Sequence, residues 1–239
     1  GPGGYRTASY AAKNGLHVTI IEKDQLGGTC LNAGCIPTKC LAHDAEVRIA
    51  ALSSFDTLPS LDFMKVMERK NGVLSQLREG INTLLSQPNI NLIKGEAHFV
   101  SDHIVEVGDR KIEAKNIIIA TGSQAKLPPF INGEDYLNSP TLKRSVVTST
   151  ELLSIDELPK RLIIIGAGVI GMEFASAFAA FGCQVVVVEY MKECLPMIDS
   201  DIAKRLRKML EKRGVTFYMQ SAVEKVIPPT EEDNVDTVV

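Results

Sequence analysis

The chain has 239 residues, of which 45% are hydrophobic and 23% charged, with a formal net charge of −3 and a pI near 5.9. This is enough apolar material for more than one hydrophobic core, and the acidic balance lacks the basic footprint of a nucleic-acid-binding protein. No apolar run is long enough to span a bilayer. We therefore expect two domains, with no nucleic-acid partner and no membrane partner. Five cysteines form an odd set with one suggestive pair, which favours a cytoplasmic location.

The first predicted elements are a glycine-rich turn, a helix and a strand. Glycines within residues 1–4 precede a helical pattern that ends at Gly15, and a strand at 17–21 leads into Glu22. This order is that of a dinucleotide-binding βαβ unit whose first strand and first glycine of G-x-G-x-x-G are missing. We therefore expect a chain that is truncated at its N-terminus.

Two cysteines five positions apart, Cys30 and Cys35, stand in the segment 26–39, LGGTCLNAGCIPTK. In a regular α-helix such a pair has its Cα atoms about 8–9 Å apart, too far for a disulfide bond. A bond would require a distorted backbone, which Gly34 allows and Pro37 favours. The favoured interpretation is a strained, reducible disulfide near a helix N-terminus, where thiol pKa values fall. Half of a zinc site and two buried spectator thiols are the alternatives.

With Glu22 before it and Lys39 at its end, this segment resembles the active-site signature of the flavoprotein disulfide reductases, and within that family it looks most like the dihydrolipoamide dehydrogenases. The resemblance implies oxidation of dihydrolipoamide to lipoamide with NAD as acceptor, through a Cys30–Cys35 disulfide and FAD. Cys30 would be the interchange thiol and Cys35 the thiol closer to the flavin. The implied partners are dihydrolipoamide or a lipoylated carrier protein and, in the full-length parent, a second copy in a homodimer. The alternatives are a mercuric or glutathione-type reductase and an inactive nucleotide-binding fragment.

Two helices and a group of strands are predicted next. A helical pattern continues after Lys39, and apolar residues at three- and four-residue spacing predict a long packing helix over 63–85, ended by Pro88. Short alternating strands then follow and are interpreted as a small antiparallel insertion, at 91–93, 97–100, 103–107 and 111–113. In the family that the chain resembles, the backbone near Ala97 meets the adenine end of FAD.

Residues 115–123, KNIIIATGS, predict a buried strand that ends in small polar residues. The stretch resembles a second flavin-domain fingerprint of the same family, although many ordinary buried strands also end in Thr-Gly. A polar linker to residue 150 follows. We therefore expect an FAD-binding domain over 1–150 that carries the redox disulfide, and a NAD-binding domain over 151–239.

A second copy of the dinucleotide-binding pattern begins at residue 161. A strand at 161–165 enters GAGVIG at 166–171, a helix runs to Phe181, and a strand at 185–188 ends at Glu189. In both copies 11 positions separate the last glycine of the turn from the glycine after the helix, and 18 separate it from the acidic residue after the strand. The matched spacing favours two dinucleotide sites over glycines that merely turn a strand into a helix.

The neighbours of each copy indicate its ligand. The first copy runs into the cysteine segment, so its ligand must exchange electrons with the disulfide, and the resemblance names FAD. The second copy would bind NAD, because a carboxylate at Glu189 suits a ribose 2′-hydroxyl and repels the 2′-phosphate of NADP. Lys192 is the feature that opposes this choice.

The expected fold class is α/β, with two Rossmann-like dinucleotide-binding domains, the second inserted in the first and both incomplete. For FAD the expected binding residues are Gly1, Gly3, Gly4, Glu22, Lys23, Gly28, Thr29, Lys39, Ala97, Thr121, Gly122 and Ser123. For NAD they are Gly166, Gly168, Val169, Ile170, Gly171, Glu173 and Glu189.

Lys39 and Glu173 join Cys30 and Cys35 as candidate catalytic residues. The resemblance implies an ion pair between them near the flavin and the nicotinamide, and ordinary surface charges are the alternative. The four histidines are expected to be structural, and no metal site is expected.

Beyond Glu189 the sequence predicts an amphipathic helix introduced by Asp199 and ended by Gly214, a strand at 216–219 and the start of another near 223–227. A full-length family member would complete this domain and add a dimerisation domain with a catalytic His-Glu pair. We expect those parts to be absent. For this chain taken alone, the expectation is poor FAD binding and no catalytic oxidation of dihydrolipoamide with NAD.

Overall fold

The computed structural model of the chain describes residues 1–55, 57, 60–128, 131 and 145–227. The predicted α/β class is confirmed, and the chain divides into two compact units. The first unit comprises Gly1–Pro37 and Asn71–Gln124, and the second comprises Thr38–Lys70 and Ala125–Val239. The ligand-binding domains expected over 1–150 and 151–239 stay a prediction. None of the helices in the described ranges combines the length and apolarity needed to cross a membrane.

The helices and strands follow the predicted order closely. In chain order they are α1 (Pro2–Lys13), β1 (Val18–Glu22), α2 (Gly28–Ala33), α3 (Cys35–Ser54), α4 (Phe63–Leu85), β2 (Ile90–Lys94), β3 (Ala97–Ser101), β4 (Ile104–Val107), β5 (Arg110–Glu113), α5 (Ser149–Leu152), β6 (Arg161–Ile165), α6 (Val169–Phe181), β7 (Gln184–Val188), α7 (Ser200–Lys212) and β8 (Thr216–Tyr218).

The first unit contains a parallel strand pair and a small antiparallel sheet. β1 and β2 run parallel, with Val18 opposite Ile90 and Glu22 opposite Lys94, whereas β3, β4 and β5 form an antiparallel sheet in that order. The prediction that all four strands of this region belong to one antiparallel insertion is therefore wrong for β2. Alternating apolar residues indicate a strand but do not identify its neighbour, which here lies about 70 residues earlier in the chain.

The buried strand predicted within 115–123 is also wrong. Residues 117–120 have no regular structure, and the side chains of Ile118 and Ile119 are 66% and 70% exposed. An apolar run becomes a strand only where a neighbour completes its hydrogen bonds, and no strand in the described ranges pairs with this one. The strand expected near 223–227 is absent for the same reason, as those residues have no regular structure either.

Most of the predicted linker to residue 150 lies outside the described residues. At its end the short helix α5 begins with a capping box, in which Thr148 accepts from a backbone N–H of the first turn and Glu151 accepts from the N–H of Thr148. The polar residues that suggested a linker are thus helix-capping residues at this point.

The second unit is built on a parallel sheet in the order β6-β7-β8. Alternate residues of β6 and β7 are buried, and the core they form is completed by aromatic side chains of α4 and α6. The ring of Phe178 on α6 lies with its centroid 6.2–6.4 Å from those of Phe63, Phe174 and Phe181. This packing fixes α6 on the sheet, and with it the glycine turn from which α6 begins.

A forked ion pair connects the loop after β7 to α7. Arg207 donates from Nε to Glu193 Oε1 at 2.7 Å and from Nη2 to Oε2 at 3.0 Å, and the backbone N–H of Cys194 donates to Oε1 at 3.0 Å. The Arg207 hydrogen bonds lower the pKa of Glu193 from 4.5 to about 2, against the opposing effect of burial. Burial, reinforced by Glu193, raises the pKa of the Cys194 thiol to about 11.

Replacing Glu193 should destabilise the protein in a pH-dependent way. Because the pKa of Glu193 is depressed in the folded state, its contribution is present above the ordinary value of 4.5 and is lost as the pH falls towards about 2. Glu193→Gln should therefore unfold more easily than the wild type at neutral pH, and the difference should shrink below about pH 4.5. Denaturant unfolding between pH 7 and pH 3 measures this. Glu157→Gln, at an exposed carboxylate, is the control, and a gap that stays constant across the range contradicts the assignment.

Candidate functional site

The thiol segment is a short helix, a break and a long helix. α2 carries Cys30, Gly34 interrupts the helical path with φ −152° and ψ −118°, and α3 begins at Cys35. A Cβ added at Gly34 would lie 3.0 Å from Thr29 O and 3.4 Å from Cys30 Cα. The break therefore folds back onto the turn that carries Cys30. The predicted distortion of the backbone at Gly34 is confirmed.

Cys30 and Cys35 are both exposed, and the structure holds both as thiols. The predicted disulfide bond between them is not formed in this structure, and their role as a redox pair stays a prediction. The three other cysteines are buried, and the Sγ of Cys194 donates to the carbonyl of Ala203 at 3.4 Å. Among the described residues no three His, Cys, Asp or Glu side chains are grouped as a metal site.

Asn32 ties the thiol segment together, a role that sequence reasoning missed. Its side-chain amide donates to the carbonyls of Gln25, Leu26 and Gly28 at 3.1–3.3 Å. Its Oδ1 accepts from Nε of Arg78 on α4 at 2.8 Å. Asn32 thus anchors the start of the segment and connects it to a long helix. It lies inside the recognised pattern, but nothing in the sequence marks Arg78 as its partner.

The first glycine turn lies against the start of the thiol segment. A Cβ at Gly28 would lie 2.4 Å from Gly1 Cα, so only glycine fits there without a shift. Glu22, at the end of β1, accepts the N–H of Asp24 at 3.1 Å, and its other oxygen lies 3.9 Å from the Gly1 nitrogen. The predicted FAD residues Gly1, Glu22 and Gly28 are therefore brought together. This glycine-lined backbone, with a carboxylate beside it, fits the pyrophosphate and ribose of a dinucleotide.

Two cavities open near the carboxyl end of β2. One of about 600 Å³ is lined by residues 92–96 with His98, Val107, Gly108 and Arg110, and one of about 300 Å³ includes Glu22 and Arg78. The predicted FAD residue Ala97 stands in β3 between two lining residues of the larger cavity. Beside it, Lys23 and Glu96 are 2.8 Å apart, which raises the pKa of Lys23 and lowers that of Glu96.

The last three predicted FAD residues are not in regular structure. Thr121, Gly122 and Ser123 are exposed and irregular, and Gly122 has φ 76°. Gly3 and Gly4 lie in the first turn of α1, where a Cβ on either would lie 3.7–3.8 Å from Ala120 Cβ. Residue 120 therefore approaches the first turn of α1, next to the predicted FAD residues Gly3 and Gly4.

The second glycine turn is tightly closed. Gly166 has φ 100° and donates its N–H to Val188 O at 2.8 Å, and a Cβ at Gly171 would lie 2.2 Å from Gly166 O. α6 begins at Val169 without a side-chain cap on its N-terminus, and Val169 and Ile170 are 59% and 57% exposed. An uncapped helix N-terminus behind a glycine turn fits a pyrophosphate group.

Glu189 is buried, with 8% of its surface exposed, and holds this turn. Its Oε2 accepts the N–H of Ala167 at 2.6 Å and its Oε1 accepts the N–H of Met191 at 2.7 Å. Glu22 in the first copy has the same contact with the residue two positions on. Each carboxylate oxygen of Glu189 keeps a second lone pair, which is sufficient to accept from a ribose hydroxyl.

Lys39 and Glu173 are both exposed. The ion pairs in the described part of the chain do not include one between them. An ion pair between them near a bound flavin stays a prediction.

Comparisons with known proteins agree on one family. The family model described as pyridine nucleotide-disulphide oxidoreductase matches residues 1–239. The chain is 39% identical to a dihydrolipoyl dehydrogenase of Acholeplasma laidlawii, covering 95% of the chain and 68% of that protein, and 37% identical to that of Zymomonas mobilis, covering 97% and 50%. A copper(II) complex of the HOCl-induced flavoprotein disulfide reductase RclA of Escherichia coli is 35% identical over the whole chain and 53% of that protein, with a TM-score of 0.84. The chain thus spans roughly half to two thirds of the length of these relatives.

Removing the Asn32 side chain should loosen the thiol segment. Asn32→Ala leaves Arg78 Nε and three carbonyls to find water, so we expect the free energy of unfolding to fall by about 1–2 kcal/mol. Amide hydrogen exchange over residues 25–35 should also become faster. Denaturant unfolding and exchange mass spectrometry measure the two effects, with the exposed Asn116→Ala as the control. An unchanged exchange rate in this segment would show that Asn32 does not hold it.

Proposed function

The chain belongs to the pyridine nucleotide-disulphide oxidoreductase family, and on that basis we propose that it is an FAD-dependent dithiol oxidoreductase that oxidises dihydrolipoamide to lipoamide with NAD as the acceptor. The observation that carries this proposal is the pair of exposed thiols, Cys30 and Cys35, on either side of the helix break at Gly34. Relatives named dihydrolipoyl dehydrogenase support the choice of substrate.

The chemical step at the cysteines is a thiol–disulfide exchange. One thiolate of dihydrolipoamide attacks Cys30 in the Cys30–Cys35 disulfide and releases Cys35 as a thiolate. The second substrate thiolate then attacks the substrate sulfur of the mixed disulfide, which closes lipoamide and releases Cys30, so that Cys30 and Cys35 are both left as thiols. Two electrons pass from substrate to protein. Exposure of both cysteines gives the substrate the access that this exchange requires.

Residues of the first copy would hold FAD, namely the backbone of Gly1, Gly3, Gly4 and Gly28, with Glu22 at the ribose. FAD, when bound, supplies a two-electron acceptor for the dithiol and a hydride donor for the pyridine nucleotide. The protein contributes a turn in which Gly28 packs on Gly1 without side chains between them. It also contributes the Asn32–Arg78 contact that keeps the thiol segment beside this turn.

Residues of the second copy would hold NAD, with Gly166 and Gly168 at the pyrophosphate and Glu189 at the ribose. The buried carboxylate of Glu189 favours NAD over NADP, because a 2′-phosphate would bring a second anion beside it. Lys192 is exposed and is the nearby cation available to a phosphate. We further propose lipoylated carrier proteins as the natural dithiol partners and a homodimer as the state of the whole protein; a cytoplasmic location remains the sequence-based expectation.

A second candidate is reduction of a disulfide substrate, the same exchange in the opposite direction. The likeness to a flavoprotein disulfide reductase supports it. The direction depends on the relative potentials of substrate and protein rather than on different residues.

Single-turnover oxidation of dihydrolipoamide tests the exchange directly. The oxidised chain, without added NAD, should oxidise about one dihydrolipoamide per protein molecule. Cys30→Ser and Cys35→Ser should oxidise none, because neither retains a disulfide to attack. Cys40→Ser, which alters a buried cysteine on α3, the helix that begins at Cys35, should behave as the wild type. Oxidation by either of the first two variants at the wild-type stoichiometry would contradict the proposed pair.

Nucleotide binding tests the cofactor preference. The wild type should bind NADH at least about tenfold more tightly than NADPH, since a buried carboxylate at the ribose disfavours the added phosphate. Lys192→Gln should weaken NADPH binding further and leave NADH binding unchanged. Fluorescence titration gives both dissociation constants, and equal affinities in the wild type would mean that Glu189 does not read the ribose.

A further inference from the structure

We propose that Arg207 and Glu193 are positioning residues for the second glycine turn. Residues 190–198, which we call the strap, connect β7 to α7 and contact that turn at Ala167. In this proposal the Arg207–Glu193 fork fixes the strap, and the strap sets the affinity of the turn for the pyridine nucleotide. The inference rests on the proposed function and adds the groups on α7 that prepare the binding turn.

The strap is fixed to α7 at two places. Arg207 binds both carboxylate oxygens of Glu193, and the same carboxylate accepts the N–H of Cys194. The Cys194 thiol, which is 1% exposed, donates to Ala203 O at 3.4 Å. A forked arginine–carboxylate pair has a defined orientation that a single contact lacks. The low pKa of Glu193 keeps its carboxylate charged at neutral pH.

The next residue of the strap has an unusual backbone conformation. Leu195 has φ 51°, in the left-handed region that disfavours a leucine. Its side chain packs against the core of the second unit, and its N–H donates to Ala167 O at 2.9 Å. Such a conformation persists only where surrounding contacts impose it, and the contacts at Cys194 and Glu193 directly precede it.

The Ala167 residue is therefore held at both of its backbone polar groups. Its N–H donates to Glu189 and its carbonyl accepts from Leu195, and the residue has no exposed surface. Ala167 lies between Gly166 and Gly168, the glycines of the turn. If the fork is lost, the strap keeps only its Cys194 contact with α7, and the hydrogen bond from Leu195 to Ala167 is held less firmly. The turn then depends more on its contacts with Glu189 and Val188. Part of the binding free energy must then be used to order the turn, and this cost weakens nucleotide binding.

Nucleotide titrations on fork variants test the inference. Arg207→Gln and Glu193→Gln should each raise the dissociation constant for NADH by about fivefold to tenfold. The double variant should bind no more weakly than Arg207→Gln, because both substitutions remove the same fork and Arg207→Gln already removes the further contact with Glu211. Arg205→Gln, an exposed arginine on the same helix, should leave it unchanged. Single-turnover oxidation of dihydrolipoamide at Cys30 and Cys35 should be normal in every variant. Arg207→Lys, which keeps the charge but loses the fork, should weaken NADH binding by a smaller factor and speed exchange of the Leu195 amide.

The outcomes separate this inference from the proposed function. Folded fork variants that bind NADH within twofold of the wild type overturn the inference alone. So does a loss of dihydrolipoamide oxidation equal to the loss of binding, which would indicate general destabilisation. If Arg207→Gln does not fold, Arg207→Lys provides the test. A dissociation constant for NADH that is unchanged in Arg207→Lys overturns the inference. A wild-type chain that binds neither NADH nor NADPH overturns the proposed function and this inference together.

Discussion

Close backbone packing at Gly34 sets the path of the chain between the two exposed cysteines, Cys30 and Cys35. In an uninterrupted helix Cys30 and Cys35 would stand about 8–9 Å apart at Cα and point in diverging directions. The break at Gly34 turns the start of α3 back onto the turn of α2 that carries Cys30. A side chain at this position would press on the Thr29 carbonyl. The close packing of this segment therefore depends on the absence of one Cβ.

The two glycine turns are held by the same kind of carboxylate contact. In each copy a carboxylate follows a parallel strand and accepts the backbone N–H two positions on, at Glu22 and at Glu189. Each also faces the glycine turn that precedes the helix. A carboxylate that accepts backbone N–H groups orders a turn that cannot carry side chains of its own. In the second copy the strap adds a contact from the opposite side.

The sequence predicted the features that depend on local pattern. The repeated spacing of glycines and acids predicted α6, β7 and Glu189 to within a residue, and apolar periodicity predicted α4. It could not predict features that depend on distant partners. The parallel pairing of β1 with β2 joins segments far apart in the chain, and residues 117–120 lack a strand because no described neighbour pairs with them. Asn32 with Arg78, and Glu193 with Arg207, are contacts between side chains that no local pattern links.

Peptide mapping of the cysteines tests the central claim, that Cys30 and Cys35 form one redox couple. The protein is oxidised with lipoamide or reduced with dihydrolipoamide, its thiols are alkylated, and each cysteine is assigned by mass spectrometry. The account predicts a Cys30–Cys35 disulfide after oxidation, two alkylated thiols at these positions after reduction, and thiols at Cys40, Cys183 and Cys194 in both states. Alkylation of Cys30 and Cys35 in both states, or a disulfide from either to one of the buried cysteines, would contradict it.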